Sequence, residues 1–598
     1  MNLLINWKTI RIHDKAKSDY AIAGFKSMSE QMIKKIALCV SLLAPLTVNP
    51  AGTLDINVTG LPKDAQVGIK INGPGVKANL GLDASSRLHI KSLSKGTFTI
   101  RPDALDVDGS HFFPETTILK VVNDGKKFFV KNSQEVLKED LLNLRYTSSQ
   151  LAFKPLPPGN PYMGPEGTST MHGNAASSDA TYNSGPGTGS LTITQTSQSA
   201  VFPTILMGSD GLLVAVGTRY LNQTPYVYLI EPNTLAVLAS MKLVKSTTSD
   251  LAGGIYSYLD AQNRLVLVNA SGYLQRISHT QQSNGSWELT VTESINIGYP
   301  DVVGLVPDYQ GRVWFATAQG TSATTGAVVG YYDPSNSQIS SFTLPAGEEV
   351  ANSISSAPDG VAVASTYALY LFRAENGTAS QVWRQTYDRG PARKPGQLSW
   401  GTGATPTFFG PITGYEYLTI TDNASPQENI LVYNARSGNL IGSLPFLTAN
   451  VNSGTEDSAI AMGNSIFVPS TYGYVYPPSA TTGPSEPPTA PFVGGMQRVD
   501  VLPGGVGLTT VWSNQTLPST SVPRLSAKDN LIYTVVVNPN TGAYSLVTVD
   551  PATGSPISST LIGSSSNDNT LQMVGTIAPG GVLYQGTING LFSAQPTN

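Results

Sequence analysis

Val547-Thr-Val-Asp-Pro-Ala-Thr-Gly-Ser-Pro-Ile557 reads as a strand, a tight polar turn and the start of a second strand. Asp and Thr favour the turn by side-chain hydrogen bonding to the backbone, Pro by a preset φ, and Gly by its freedom to adopt positive φ. The same phrase recurs upstream as Tyr228-Leu-Ile-Glu-Pro-Asn-Thr-Leu-Ala-Val-Leu238, Tyr331-Tyr-Asp-Pro-Ser-Asn-Ser-Gln-Ile339 and Leu431-Val-Tyr-Asn-Ala-Arg-Ser-Gly-Asn-Leu-Ile441. Hairpins recurring every ~45 to 60 residues make a repeat array, and such a period fits one four-stranded unit per repeat. Units begin near Phe202, Leu251, Asp301, Glu349, Thr402, Glu456, Val522 and Asp568. The fold class is therefore all-β, with a β-propeller over residues 190–598, because radial repetition leaves only short, protected sheet edges. Eight blades are favoured. Seven is the alternative, since the Pro/Gly-rich stretch 477–500 hides or imitates a unit.

The final unit offers three strands, Met573 to Ile577, Val582 to Thr587 and Gly590 to Ala594, and so lacks one. Leu191-Thr-Ile-Thr-Gln-Thr196, ahead of the first unit, is a spare strand that would close the ring by pairing the two ends of the array.

Upstream of the array, Gly52-Thr-Leu-Asp-Ile-Asn-Val-Thr-Gly alternates with period two, placing Leu54, Ile56 and Val58 on one face. Further strands are expected at Gln66 to Ile71, Leu88 to Ile90, Thr97 to Ile100, Thr117 to Val122 and Lys127 to Val130, the last two joined at Asp124-Gly125. Residues 52–132 thus form a small N-terminal β-sandwich. A short helix is expected over Ser133 to Leu144, within a connector at 133–153, because Val136, Leu137, Leu141 and Leu144 approximate helical spacing. Residues 154–189 are rich in Gly, Pro, Ser, Thr and Asn with almost no aliphatic side chains, and they read as a flexible linker.

The opening Gly52-Thr-Leu-Asp-Ile-Asn-Val-Thr-Gly-Leu-Pro62, with Val67 to Gly75 after it, resembles the prealbumin-like or carboxypeptidase-regulatory-like modules of bacterial surface proteins. That resemblance implies a spacer or adhesive unit. The Asp-Pro-x-Thr-Gly hairpins resemble those of quinoprotein-like (PQQ-like repeat) bacterial propellers. Over residues 401–550, the runs Gly401-Thr-Gly-Ala-Thr-Pro-Thr, Thr421-Asp-Asn-Ala-Ser-Pro-Gln-Glu-Asn, Gly454-Thr-Glu-Asp-Ser, Tyr472-Gly-Tyr, Gly495-Met-Gln-Arg-Val-Asp and, at its edge, Ser521-Val-Pro-Arg-Leu-Ser are similar to a family of secreted bacterial propellers with no assigned reaction. The resemblance implies fold and compartment and supplies no catalytic residues.

Composition narrows the function classes. Only 13% of the 598 residues are charged, about half the usual share, and 36 basic against 40 acidic residues leave a net charge of −4. Such a chain has no field to attract nucleic acid. Met32-Ile-Lys-Lys followed by the apolar Ile36 to Val48 and Asn49-Pro-Ala-Gly52 reads as a signal peptide over 32–51 within the N-terminal segment 1–51, with Met1 or Met32 as the start. The apolar run is too short for a span, so no transmembrane helix is expected in the mature chain, and the expected location is secreted, periplasmic or cell surface. The single cysteine, Cys39, lies in that signal. A mature chain without cysteine excludes disulfides, Cys-ligated zinc and a cysteine nucleophile. Quinoprotein dehydrogenases of this architecture hold their cofactor with a vicinal cysteine pair, calcium and an aspartate, so the missing pair argues against PQQ.

The chain contains no P-loop, no Gly-x-Ser-x-Gly elbow and no His-Glu-x-x-His helix, and its five histidines are scattered. Asp422, Asn423, Glu456 and Asp457 fall between strands of adjacent units and would supply oxygen ligands to calcium, as in lactonase-type propellers; the plainer account makes them turn caps and ion-pair partners. Asp388-Arg-Gly-Pro-Ala-Arg-Lys-Pro-Gly-Gln-Leu-Ser-Trp400 concentrates Arg389, Arg393, Lys394 and Trp400 and reads as a loop for an anionic or sugar ligand, or simply as a solvated loop. Tyr472, Tyr474 and Tyr476 alternate at strand spacing, to line a channel or to pack between blades. The reading favours a binding module for a protein or glycan ligand, with a calcium-dependent lactonase or esterase, and a structural surface component, as alternatives.

Overall fold

The computed structural model describes residues 52–597 except 63–64, 84–86, 103–104, 108–109, 115–118, 131–136, 139–140, 150–152, 220–221, 246–253, 323 and 451. The signal peptide read in residues 32–51 lies outside the described residues.

Residues 52–149 make two five-stranded sheets over one core. In Gly52–Thr59 the side chains of Leu54, Ile56 and Val58 are buried and the residues between them are not, as the period-two pattern requires. They meet Ile69, Ile71, Phe98, Ile100, Val121 and Phe128 from the facing sheet. At the expected hairpin, Asn123 pairs with Phe128. Its turn is held by Asn123 Oδ1, which accepts from the Gly125 N–H, and by Asp124 Oδ1, which accepts from the Lys126 and Lys127 N–H groups.

The helix expected over Ser133 to Leu144 is not what forms where the chain is described. Leu141–Ser149 is a strand, parallel to Gly52–Thr59, with Leu141 opposite Asp55 and Leu144 opposite Val58. Leu142 and Leu144 alternate inward with period two, and pairing with the first strand overrides the weaker helical spacing.

Beyond residue 199, seven four-stranded antiparallel sheets, and an eighth with a short fifth strand on its inner edge, follow one another among the described residues. Taken as blades 1 to 8 in chain order, their innermost strands are Ala200–Met207, Tyr258–Leu259, Val302–Pro307, Ser355–Ala357, Thr407–Phe409, Ile460–Met462, Arg524–Ser526 and Thr576–Ala578. Each blade touches the next, and blade 8 touches blade 1, so the array is a β-propeller ring. Leu191–Ser197 supplies the outermost strand of blade 8 by antiparallel pairing with Gly590–Pro596, from Leu191 opposite Pro596 to Ser197 opposite Gly590. The second and third strands are apolar on both faces and fill the space between blades, as with Trp314, Tyr331 and Phe372. The fully buried Trp314 indole donates to Asp308 Oδ2 at 2.9 Å, so its polar edge is satisfied. Each such large side chain contributes roughly 1.5–3 kcal/mol by burial.

Residues 154–189 are not a free linker. Thr168, Ser169, His172, Asn174, Ala175, Ala176, Ser178, Asp179, Ala180 and Thr181 are all buried. Innermost-strand N–H groups donate to this segment in chain order: Met207 to the Thr168 carbonyl, Leu259 to Ser169, Ser356 to Ala175, Phe408 to Ala176, Ala461 to Ser178, Leu525 to Asp179 and Ala527 to Thr181, over 2.7–3.1 Å. Asn160 Nδ2 donates to Pro307 O of blade 3 and Asn183 Nδ2 to Ile577 O of blade 8. Residues 155–164 run backwards from blade 6, where the Gly463 N–H donates to Pro155 O, to blade 2, where the Gly164 N–H donates to Leu259 O; residues 168–183 then pass blades 1, 2 and 4 to 8 in chain order, and the segment plugs the ring. Its composition forbids a core of its own, but small polar residues fit a narrow axis where the backbone finds partners on the blades. Ala180–Thr181 pairs in parallel with Arg524–Ser526 and is the fifth strand of blade 7.

Candidate functional site

Antiparallel strands alternate in direction, so the loops leading into each innermost strand and those joining second to third strands emerge on one face of the ring. All eleven residues expected to carry chemistry, Tyr476 included, lie on that face, in loops of blades 4 to 6. Arg389, Arg393, Lys394 and Trp400 lie in the connection ahead of Thr407–Phe409, and Asp422 and Asn423 between Tyr417–Thr421 and Asn429–Asn434. Glu456 and Asp457 precede Ile460–Met462, and Tyr472 and Tyr474 follow Ser465–Pro469.

Most of these side chains are committed to holding the loops. Asp422 Oδ1 accepts from the Ala424 and Asn429 N–H groups, and its Oδ2 from Asn429 Nδ2 at 2.8 Å. Asn423 Nδ2 donates to Arg389 O and Ala392 O. Lys394 Nζ is buried, donates to Ala424 O at 2.6 Å and Ser453 O at 2.9 Å, and lies 3.8 Å from Glu428 Oε1. Burial lowers its pKa. Arg393 donates to Gln397 O at 2.7 Å and Gly483 O at 3.1 Å, tying two loops together. Tyr472 to Tyr476 do not form a strand; the stretch is a turn and irregular loop with Gly473 at φ 83°. Tyr474 and Tyr476 pack edge to face at 4.9 Å, and Tyr474 Oη donates to Asn569 Oδ1 at 2.7 Å.

Glu456 Oε1 accepts from Asn352 Nδ2 at 2.9 Å and Oε2 from the Leu398 N–H at 2.8 Å. Burial pushes its pKa up to about 8, so it carries a proton at neutral pH. Burial, with Glu456 and Asp179 nearby, also raises Asp457 well above the carboxylate range, and its Oδ2 has no partner. The four oxygen residues expected for calcium are drawn to different partners: Asp422 caps its own loop, Asn423 donates to carbonyls of the neighbouring loop with its Oδ1 unpartnered, and Glu456 accepts from Asn352 and Leu398. No group of three His, Cys, Asp or Glu side chains able to hold a metal occurs among the described residues.

Sequence reasoning missed the polar centre of the ring. His172 Nδ1 lies 2.9 Å from Asp179 Oδ2, and both residues belong to the plug. Arg524 Nη1 of blade 7 donates to Asp179 Oδ1 at 2.9 Å, and Ser458 Oγ, ahead of blade 6, donates to Asp179 Oδ2 at 2.8 Å. All four are buried. A Ser-His-Asp relay needs serine and aspartate on opposite ring nitrogens. Here Ser458 and Asp179 meet the same one, Nδ1, while Nε2 faces only Thr405 Oγ1 at 3.5 Å. The cluster locks the plug to the ring and does not activate a nucleophile. Its one sequence signal was that Ser458 and Arg524 sit in the Gly454-to-Ser458 and Ser521-to-Ser526 runs.

What the face leaves open lies between blades 4 and 5. The Arg389 guanidinium is stacked between two rings, 3.7 Å from Tyr367 and 3.6 Å from Trp400, and both rings are more than a third exposed. Trp400 Nε1 donates to Arg389 O at 2.8 Å, which fixes the indole. Beside the stack a small groove is lined by Asn352, Ser365, Thr366, Ser399, Trp400 and Thr402. This groove and a second space lined by His172, Ser177, Tyr256 and Ser353 are each about 10 Å³, room for about one water and not for an enclosed substrate.

No protein-family model matches this chain. No curated protein matches it either. Among solved structures, the chain is similar to the quinohemoprotein alcohol dehydrogenase ADHIIG of Pseudomonas putida HK5, with a TM-score of 0.44 and 10% identity over 72% of this chain and 82% of that one. It is also similar to the Dos1 propeller, with a TM-score of 0.37 and 10% identity over 75% and 96% of the two chains. A third is a putative 6-phosphogluconolactonase from Bacteroides uniformis, with a TM-score of 0.29 and 10% identity over 75% and 94%. Likeness at these identities concerns the fold alone.

Proposed function

We propose that this protein is a secreted or surface-exposed binding module, in which the propeller presents the loops of blades 4 to 6 to a ligand and the N-terminal sheets act as a spacer. One observation carries the reading: the charged groups at the centre of the ring are spent on one another and on the plug, whereas the Tyr367–Arg389–Trp400 stack stands exposed on the adjoining face. Aromatic and arginine side chains held rigid in this way dominate binding energy at interfaces. The calcium-dependent hydrolase has no such observation behind it, and neither has a quinone, since the described chain holds no cysteine.

The test is a screen of immobilised glycans and candidate proteins against the whole chain and two variants. Trp400→Ala should abolish the interaction that the parent makes, with an unchanged melting temperature. Ile412→Ser, an exposed position in the loop joining the first two strands of blade 5 on the opposite face, should leave it intact. Loss in both, or in neither, would refute this face as the binding surface.

A further inference from the structure

Lys394 and Glu428 meet among the loops of blade 5, with 5% and 0% of their side chains exposed. A buried pair held as ions closes to a charge-assisted hydrogen bond of about 2.7–2.9 Å. Arg524 and Asp179, equally buried, do so at 2.9 Å. Lys394 Nζ instead stands 3.8 Å from Glu428 Oε1, the separation of two groups in van der Waals contact. Its hydrogen bonds go to Ala424 O at 2.6 Å and Ser453 O at 2.9 Å. Two acceptors occupy both hydrogens of a neutral amine, and a neutral amine keeps a lone pair. An ammonium would carry a third N–H with no acceptor at hydrogen-bonding distance.

The carboxyl group is held as an electrophile. Oε1 accepts from Gln397 Nε2 at 2.9 Å and Oε2 from the Thr455 N–H at 3.0 Å. Donors so placed polarise the carboxyl and stabilise an oxyanion formed on it. Burial lowers the pKa of the amine and lifts that of the carboxyl well above the carboxylate range, so both groups are driven towards their uncharged forms. Separating the two charges in this desolvated place costs more than their attraction returns at 3.8 Å. Asp422, the other acid in the field of the amine, is held on its own loop by Ala424 and Asn429.

We propose that Lys394 and Glu428 condense into an intramolecular isopeptide bond that staples the connection ahead of Thr407–Phe409 to the loop between Tyr417–Thr421 and Asn429–Asn434. The Nζ lone pair attacks Cδ, and Oε2 takes the negative charge against the Thr455 N–H. The carbonyl then reforms as the Cδ–Oε1 bond breaks, and Oε1 leaves as water with the carboxyl proton and one proton from nitrogen. An amide N–H remains, nothing is oxidised or reduced, and no co-reactant is needed. Fixing the two groups in contact supplies the effective concentration that free amines and acids in water lack. The stapled connection also carries Arg389 and Trp400, so the bond anchors the base of the exposed stack, but it stands whether or not that stack binds a ligand.

The test is peptide mass spectrometry of the whole purified chain. Pro395 follows Lys394 and no other Lys or Arg intervenes before Arg436, so trypsin releases both residues in one peptide, from Lys394 to Arg436. That peptide should be lighter than its sequence by one water. Chymotrypsin cuts between the two residues, at Trp400, Phe408 and Tyr417, and should leave the fragments that contain Lys394 and Glu428 covalently joined. Glu428→Ala should restore the full mass and separate the fragments, and so should Lys394→Arg, whose guanidinium is no nucleophile. The parent decides the matter even where a variant fails to fold. A parent peptide of full mass with separate chymotryptic fragments overturns the proposal. Loss of water at another position, with Lys394 and Glu428 unjoined, overturns it equally.

Discussion

Asp179 is fully buried, and its charge is balanced by Arg524, itself 1% exposed. Removing one partner of such a pair strands the other charge, which costs about 3–5 kcal/mol. Arg524→Met should lower stability by that amount in chemical denaturation, and Asp179→Asn combined with it should cost less than the sum of the two. Glu456 is raised to about 8 by burial, so between the ordinary carboxylate range and pH 8 the folded chain holds a proton that the unfolded chain has released. Stability from this group is therefore fully present below about pH 4.5 and falls as pH rises towards 8, at up to about 1.4 kcal/mol per pH unit. Glu456→Gln should flatten the slope of unfolding free energy between pH 5 and 8 by about one proton, while Asp457, also raised by burial, keeps a residual slope of the same sign. An unchanged slope would mean that Glu456 is ionised in the folded chain. The sequence placed Arg389, Arg393, Lys394, Trp400, Asp422, Asn423, Glu456 and Asp457 in loops but set the three tyrosines on a strand, and the fold brings all of them to loops of one face. Their roles were not legible, because capping and buried pairing depend on partners such as Asn352 for Glu456, 104 positions away. His172 and Asp179 were hidden for the same reason: Asp179 meets Arg524 across 345 positions, which no local spacing encodes.

Elements with a clear period were legible, and those defined by their surroundings were not. The alternation in Gly52–Thr59 and the polar turn at Asp550 to Gly554 fix local structure from within; Asp550 accepts from Ala552 N and Thr553 Oγ1 in the turn that the Asp-Pro-x-Thr-Gly phrase implies. Leu141–Ser149 was misread because four leucine and valine positions fit a helix loosely, while its parallel partner lies 86 positions away at Asp55. The plug is the largest miss, since low apolar content describes both a disordered linker and a segment whose burial is arranged by other elements. Hydrogen exchange separates the two descriptions. The amides of residues 168–181 should be protected to nearly the level of the blade strands, whereas a linker would exchange at the rate of a free chain. Ala176, which is 1% exposed and accepts from Phe408 N, leaves no room for growth. Ala176→Leu should destabilise the ring by about 1–3 kcal/mol through overpacking, measured as a lower denaturation midpoint.

At the scale of the molecule, ring closure was legible because a missing strand at one end of the array matched a spare one at the other, and Leu191–Ser197 does pair with Gly590–Pro596. The same logic misjudged where the ring begins. A boundary drawn by composition falls at Gly189 and keeps the closing strand, yet it discards the segment to which innermost strands of blades 1, 2, 4, 5, 6 and 7 donate backbone hydrogen bonds. Without it those N–H groups, buried at the centre, lose their partners, and each unsatisfied group costs about 1–3 kcal/mol unless water replaces the segment. Arg524 would also face the axis with no counter-charge. A chain begun at Gly189 should therefore fail to accumulate as a soluble folded ring, or melt far below the parent. A chain begun at Phe153, which packs on Phe467 at 5.6 Å and retains the whole plug, should match the parent in melting temperature once the N-terminal sheets are gone. If both shortened chains melted alike, the plug would be an ornament on a ring that holds itself; if only the longer one folds, the ring and the segment that resembles a linker are one cooperative unit.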